Sequence, residues 1–276
     1  NYRIMAGIGD NTSKVTKYDN PNRTLTDPYE GQQLGEIWGY VVDGYFKTDE
    51  EARNYKVDQS FVNQMINASA LDNGLHAGDL KFVDLDGNNK IEQTTSANDR
   101  KDMKVIGNSL PRYNYNFGIS ADWYGIDFSV LFQGIGKQNW YPGAETSMFW
   151  GPYSRPYASF IPSDFMSQVW SEENTNAYFP RPRGYVALGS NRELAVVNTK
   201  YLQNLAYCRL KNLSIGYTLP DKWLSKIGFE KIRVYFSGEN LLTFTKLHSD
   251  YIDPEQASAS NSWKTSKSDA NIYPWA

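Results

Sequence analysis

The chain has 276 residues, 40% of them hydrophobic, and a net charge of -3, enough material for one large or two smaller cores. Its mixed charge lacks the basic face that a nucleic-acid binder needs, and a single cysteine, Cys208, excludes an internal disulfide. No apolar run reaches the ~18 residues of a membrane-spanning helix, which leaves insertion as β-strands open.

In chain order, strand patterns occupy residues 2–9, 14–18 and 35–41, followed by short helical patterns at 48–55 and 60–65. Two long strands come next, at 112–123 and 126–134. Tyr113, Tyr115, Phe117, Ile119, Ala121 and Trp123 share one parity, while Asn114, Asn116, Gly118, Ser120 and Asp122 take the other. The alternation resumes in Ile126, Phe128, Val130 and Phe132, with Leu131 as the exception, so Tyr124-Gly125 reads as a tight hairpin turn. A helical pattern at 162–170, a strand at 202–218, a helical pattern at 221–227 and a strand at 231–240 complete the pass. Arg209 and Lys211 share parity with the apolar Leu213, Ile215 and Tyr217. Either that strand projects beyond an apolar environment there or a β-bulge resets its register.

The connections alternate in length. The turn at 124–125 is minimal, 135–201 is long, 219–230 is short, and the chain beyond 241 is long again. Short and long ends therefore segregate, as in an outer-membrane barrel with an apolar band facing lipid. A soluble β-sandwich with its apolar face inward would alternate in the same way. The abundance of aromatics, 20 Tyr, 13 Phe and 8 Trp, tilts the reading toward the barrel. Trp123, Tyr124, Tyr217 and Trp223 would form an aromatic belt at the short-turn end.

Two loops carry candidate sites. VDLDGNNKIE places Asp84, Asp86 and Asn88 at alternate positions around Gly87, with the Lys90 carbonyl and Glu92 following. This arrangement suits Ca²⁺, which takes about six to eight oxygens from a loop wrapped around it. It departs from the EF-hand in lacking an acid at its twelfth position, where Thr95 stands; Asp99 is the candidate to complete it, and a self-stabilised Asx turn is the alternative. The long connection carries Trp140, Tyr141, Trp150, Tyr153, Arg155 and Tyr157 among prolines, as platforms that could stack on sugar rings or pack the loop onto itself. His76 and His248 stand in polar stretches and read as solvated. No catalytic motif emerges, so no enzyme is expected.

YCRLKNLSIGYTLPDKWLSKIGFEKIRVYFSGENLLTFT (207–245) with DYIDPE (250–255) resembles the barrel of SusC/RagA-type TonB-dependent outer-membrane transporters. GEIWGYVVDGYFKTDEEA (35–52), GDLKFVDLDGNNKIE (78–92), VIGNSLPRYNYNFG (105–118) and VWSEENTNAYFPRPR (169–183) match the same family in order. The resemblance implies an all-β fold: part of a large antiparallel transmembrane β-barrel of about 22 strands with long extracellular loops. Residues 1–276 would be a C-terminal portion with roughly seven to nine strands and no plug domain. It implies import of a bulky nutrient, an oligosaccharide or alternatively a peptide, across a bacterial outer membrane. The implied partners are a SusD-like surface lipoprotein, the TonB complex and outer-membrane lipid. The competing reading is a secreted β-sandwich that binds carbohydrate and keeps a structural calcium loop.

Overall fold

The computed structural model describes residues 1–62, 74–144, 146–154, 161–182, 184–189, 192–225 and 228–257. Its strands are β1 (Tyr2–Gly9), β2 (Glu36–Tyr40), β3 (Val42–Tyr45), β4 (Leu80–Phe82), β5 (Met103–Asn108), β6 (Arg112–Trp123), β7 (Ile126–Lys137), β8 (Asn139–Trp140), β9 (Gln203–Asn204), β10 (Tyr207–Thr218) and β11 (Arg233–Thr245). The short helices are α1 (Asp49–Arg53), α2 (Ser147–Trp150), α3 (Asp221–Leu224) and α4 (Pro254–Ala257). The chain divides into a strand unit of Asn1–Thr12, Leu110–Gln138 and Asn204–Leu247, and a loop unit of Ser13–Ser109, Asn139–Gln203 and His248–Ala276.

The strand unit is one antiparallel sheet in the order β1-β6-β7-β10-β11. Its two faces follow from the period-two side-chain alternation. One face stacks Ile4, Ile119, Val130 and Leu213 in a cross-strand row, and Ala121, Phe128, Ile215 and Phe236 in the next. The other aligns Asn116 with Gln133, Ser120 with Ser129 and Ser214, and Asp127 with Gly216. Leu131, the exception to the alternation, sits on this polar face opposite Gly118, whose missing side chain leaves room for Met5 from β1. The apolar face is bare: Tyr2 is 83% exposed, Phe236 57% and Phe244 62%. A β-sandwich would bury such a face against a second sheet. An exposed apolar sheet face of this extent is suited to hydrocarbon.

The Arg209 question is answered by a bulge. Between Leu210 and Asn212 the register shifts against both β7 and β11, leaving Lys211 as the extra residue relative to β7. Beyond it the parity of β10 inverts. Leu210 joins Phe132 and Leu242 on the apolar face, and Arg209 joins Gln133 and Thr243 on the polar one. There the Arg209 Nε donates to Thr243 Oγ1 at 2.9 Å. At the opposite end of the sheet, Tyr124 and Gly125 both take positive φ, 46° and 86°. That is the combination a two-residue hairpin turn needs to match strand twist. Trp123 and Tyr124 pack edge to face there and stand exposed with Trp223, as an aromatic belt would. An Arg233–Asp127 ion pair, with contacts of 2.9 and 2.5 Å, links β11 to β7.

The topology also sorts the connections. The end of β1 faces the start of β6, so the excursions from β1 to β6, β7 to β10 and past β11 all leave the same end of the sheet. The sheet has five strands among the described residues, fewer than anticipated, because two predicted strands lie in the loop unit. Residues 14–18 contribute one bridge, Lys14 to Gln33, and residues 35–41 form β2, which pairs with β5. The helical pattern at 48–55 is α1, capped by Thr48, whose Oγ1 accepts from the Glu51 amide at 3.1 Å. The pattern at 162–170 is a 3₁₀ turn over Phe165–Gln168, and that at 221–227 is α3. Most of the 60–65 pattern lies outside the described residues.

These face assignments predict an asymmetry. Phe117→Arg, at mid-strand on the apolar face, is expected to cost about 2–4 kcal/mol. Ser120→Arg, on the polar face, should stay within about 0.5 kcal/mol. Urea midpoints of the full-length protein refolded into phospholipid vesicles measure both, and equal costs would refute the assignment.

Candidate functional site

The aromatics of the 139–203 excursion were expected as stacking platforms, and the structure turns them inward. Trp140 is 2% exposed, Trp150 0% and Tyr153 1%. Their polar ends are satisfied locally: Trp150 Nε1 donates to the Gly143 carbonyl at 3.0 Å and the Tyr153 hydroxyl to the Pro180 carbonyl at 2.6 Å. The Tyr141 hydroxyl donates to the Leu194 carbonyl and accepts from Asn198 Nδ2, both at 2.8 Å; its burial raises its pKa well above the usual phenol value. Ring faces are consumed by other rings. Trp150 meets Phe149 edge-on at 4.8 Å and Tyr201 at 5.2 Å, while Phe179 stacks on both Phe165 and Tyr153 at 4.7 and 5.9 Å. These aromatics are the core of the loop unit, because a segment standing in water with so many rings buries them. Arg155 and Tyr157 lie outside the described residues.

His248, expected in solvent, is instead part-buried. Its ring stacks on Tyr178 with centroids 3.4 Å apart, and its Nε2 lies 2.7 Å from Gln168 Oε1, a carbonyl oxygen to which it donates. Burial lowers its pKa to about 4; Asp250 and Asp164 oppose that shift, while Lys200 adds to it. Behind Tyr178 a polar chain continues: Gln203 Nε2 donates to the Tyr178 hydroxyl at 2.8 Å, and the Tyr45 and Tyr201 hydroxyls meet at 2.8 Å. The pattern of the sequence gives no signal for this stacking, which joins residues 70 apart from two separate excursions.

The acidic loop gathers carboxylates, though not the full predicted set. Oxygens of Asp84, Asp86 and Asp102 lie within 4.8 Å of one another. Asp102, which sequence spacing did not single out, takes the completing place anticipated for Asp99. Glu92 turns away: its oxygens lie 4.0 Å from Lys90 Nζ and 3.6 Å from Lys101 Nζ, and accept from Asn88 Nδ2. Asn88 Oδ1 accepts the Lys90 amide at 2.7 Å, closing an Asx turn. Burial works against the Asp84 carboxylate, yet amides of Gly87 and Asn89, both at 2.7 Å, hold its pKa below the ordinary value. Asp102 is fully buried; its desolvation raises its pKa, against the pull of the Glu92 and Leu85 amides that it accepts at 2.7 and 2.9 Å. Three clustered carboxylates can ligate a hard cation such as Ca²⁺, with water supplying the remaining oxygens.

No protein-family model matches the chain. Among curated proteins it is similar to TonB-dependent receptor P3 of Formosa agariphila, 31% identical over 228 residues, covering 82% of this chain and 19% of that protein. TonB-dependent receptor P39 of the same organism is 27% identical over 241 residues, covering 78% of this chain and 22% of the relative. The chain thus spans about a fifth of the length of the relatives it matches. Among solved structures, the RagAB peptide importer in its open-open state superimposes with a TM-score of 0.55 at 19% identity, over 92% of this chain and 24% of that one. The closed-closed state gives 0.52 over the same shares.

Two predictions follow from the electrostatics. Asp102 keeps its proton more tightly folded than unfolded, so in metal-free protein its contribution to stability falls as pH rises through its raised pKa. Ca²⁺ is expected to cancel that loss and to increase hydrogen-exchange protection at the Leu85 and Glu92 amides. Asp102→Asn should abolish the gain and cost about 1–3 kcal/mol, since an amide side chain accepts at one end only. Unchanged protection in millimolar Ca²⁺ would show a plain Asx turn. His248 shifts the other way. The unfolded chain binds its proton near pH 6.5 and the folded one near 4, so stability present above 6.5 is lost as pH falls between those values. Thermal unfolding of the full-length protein across that range should show the loss, and His248→Phe should flatten it.

Proposed function

This chain is part of the barrel of a SusC/RagA-type TonB-dependent receptor of the outer membrane, and from that premise we propose that the whole protein imports a bulky oligomeric nutrient, an oligosaccharide or a peptide. The reading is carried by one observation: a single sheet with a bare apolar face, a polar opposite face, and every long excursion leaving from one end. The apolar face meets acyl chains, and the polar face encloses a hydrated path lined here by Asn114, Asn116, Ser120 and Asp122. None of these side chains performs covalent chemistry. The energy for uptake is drawn from the TonB complex, and a SusD-like surface lipoprotein caps the extracellular excursions. The inward packing of Trp140, Trp150 and Tyr153 assigns them to stiffening those excursions; it withdraws their support for stacking on sugar. The solved neighbour of this fold is a peptide importer, which supports including peptides.

Disruption of the gene for the full receptor is expected to abolish growth on one oligomer class while growth on the corresponding monomer is unchanged. Undiminished growth on both oligosaccharide and peptide panels would overturn the import reading. Affinity capture of the receptor from detergent-solubilised outer membranes should recover one lipoprotein in stoichiometric amount.

A further inference from the structure

We propose that a cleft in the loop unit, beside His248, binds a primary ammonium group of the imported oligomer. This deepens the import reading and rests on it. The cleft is a cavity of about 60 Å³ between the excursion that carries Phe149, Phe165 and Phe179 and the segment that begins at His248. That is well under the roughly 150 Å³ of a cavity that accepts benzene. A sugar ring or an aromatic side chain does not fit, whereas a small terminal group does.

The lining selects which terminal group. Phe149, Phe165 and Phe179 form the floor, and ring faces attract cations. Asp164 and Asp250 stand at the exposed mouth, and both act electrostatically on His248. The lining contains no Lys or Arg. His248 itself is uncharged at neutral pH, and Lys200, the nearest cation acting on it, holds its ammonium over the Tyr45 and Tyr178 rings at 4.8 and 5.6 Å. The cleft therefore presents two negative charges and no opposing positive one.

A hydroxyl ligand is disfavoured because the neutral polar groups are already engaged with one another. Gln168 Oε1 accepts from His248 at 2.7 Å, and Gln168 Nε2 donates to Asp164 Oδ2 at 3.4 Å. Ser249 Oγ donates to the Met148 carbonyl at 2.9 Å and accepts the Tyr251 amide at 3.3 Å. The acceptor capacity left over belongs to carboxylates, each of which offers about four lone-pair sites. An ammonium group brings three donors and no acceptor, which matches that remainder. A lysine side chain, a peptide amino terminus and an amino sugar all supply it.

The test is calorimetry on the full-length receptor in detergent at neutral pH, with two matched pairs of probes. One pair is tri-alanine with a free amino terminus and its N-acetyl form; the other is the glucosamine disaccharide and its diacetyl form. At least one free amine is expected to bind about tenfold more tightly than its acetylated twin, and the pair that discriminates identifies the source. The Asp164→Asn, Asp250→Asn double variant, at two exposed positions, should lose the preference while keeping the heat-modifiable gel migration of the folded barrel. Equal affinities within both pairs, no measurable amine binding, or a preference that survives the double variant would each overturn the proposal. A wild-type receptor that sustains uptake without amine discrimination refutes this cleft assignment alone, whereas growth unaffected by gene disruption refutes import itself.

Discussion

A peptide N–H or C=O left without a partner in hydrocarbon costs several kcal/mol, and no water is there to soften it. The strand unit is organised around that cost. β6, β7 and β10 are paired on both sides along most of their length, so their backbones are satisfied within the sheet and only side chains meet the surroundings. The sorting of side chains follows from pairing, because cross-strand rows place every second residue on one face. Edge strands β1 and β11 are paired on one side among the described residues. In a closed barrel, neighbouring strands satisfy the other side.

The same residue types behave oppositely in the two units. Trp123 and Tyr124 point outward beside the hairpin turn, where an amphipathic ring at a membrane surface is comfortable. Trp150, Tyr153 and Tyr201 are buried, with their polar atoms bonded to carbonyl oxygens or another hydroxyl. The difference lies in the solvent. Excursions standing in water fold as small soluble proteins do, and their rings supply the core that short, irregular segments otherwise lack. Gly78 shows how close that packing is. It sits at φ +83°, and a Cβ there would lie 2.6 Å from the Trp170 ring.

What was legible in the sequence is what period-two alternation encodes. β6, the tight turn at Tyr124-Gly125 and β7 could be read directly, since one unbroken parity runs through each strand. β10 could be read only in part: its bulge swaps faces in mid-strand, and parity counting alone leaves Arg209 stranded among apolar residues. Residues 14–18 and 35–41 have strand-like composition without a place in the main sheet, because propensity does not specify the partner. The acidic loop was visible through its local spacing, but Asp102 was not. It arrives from a separate turn, and its role depends on burial. His248 was misread for the same reason, as its neighbours Tyr178 and Gln168 belong to another excursion.

The extra residue at Lys211 bears on how such a wall can change over generations. In an uninterrupted ribbon, gaining or losing a single codon would invert every subsequent side chain, pushing charge into oil and grease into the channel. Here the inversion is already absorbed at one rung, and Arg209 ends up among Gln133 and Thr243 with Leu210 kept outside. A neighbourhood that tolerates one slipped rung offers evolution a place to lengthen or trim this strand, and so to adjust the excursion attached to it without rebuilding the wall.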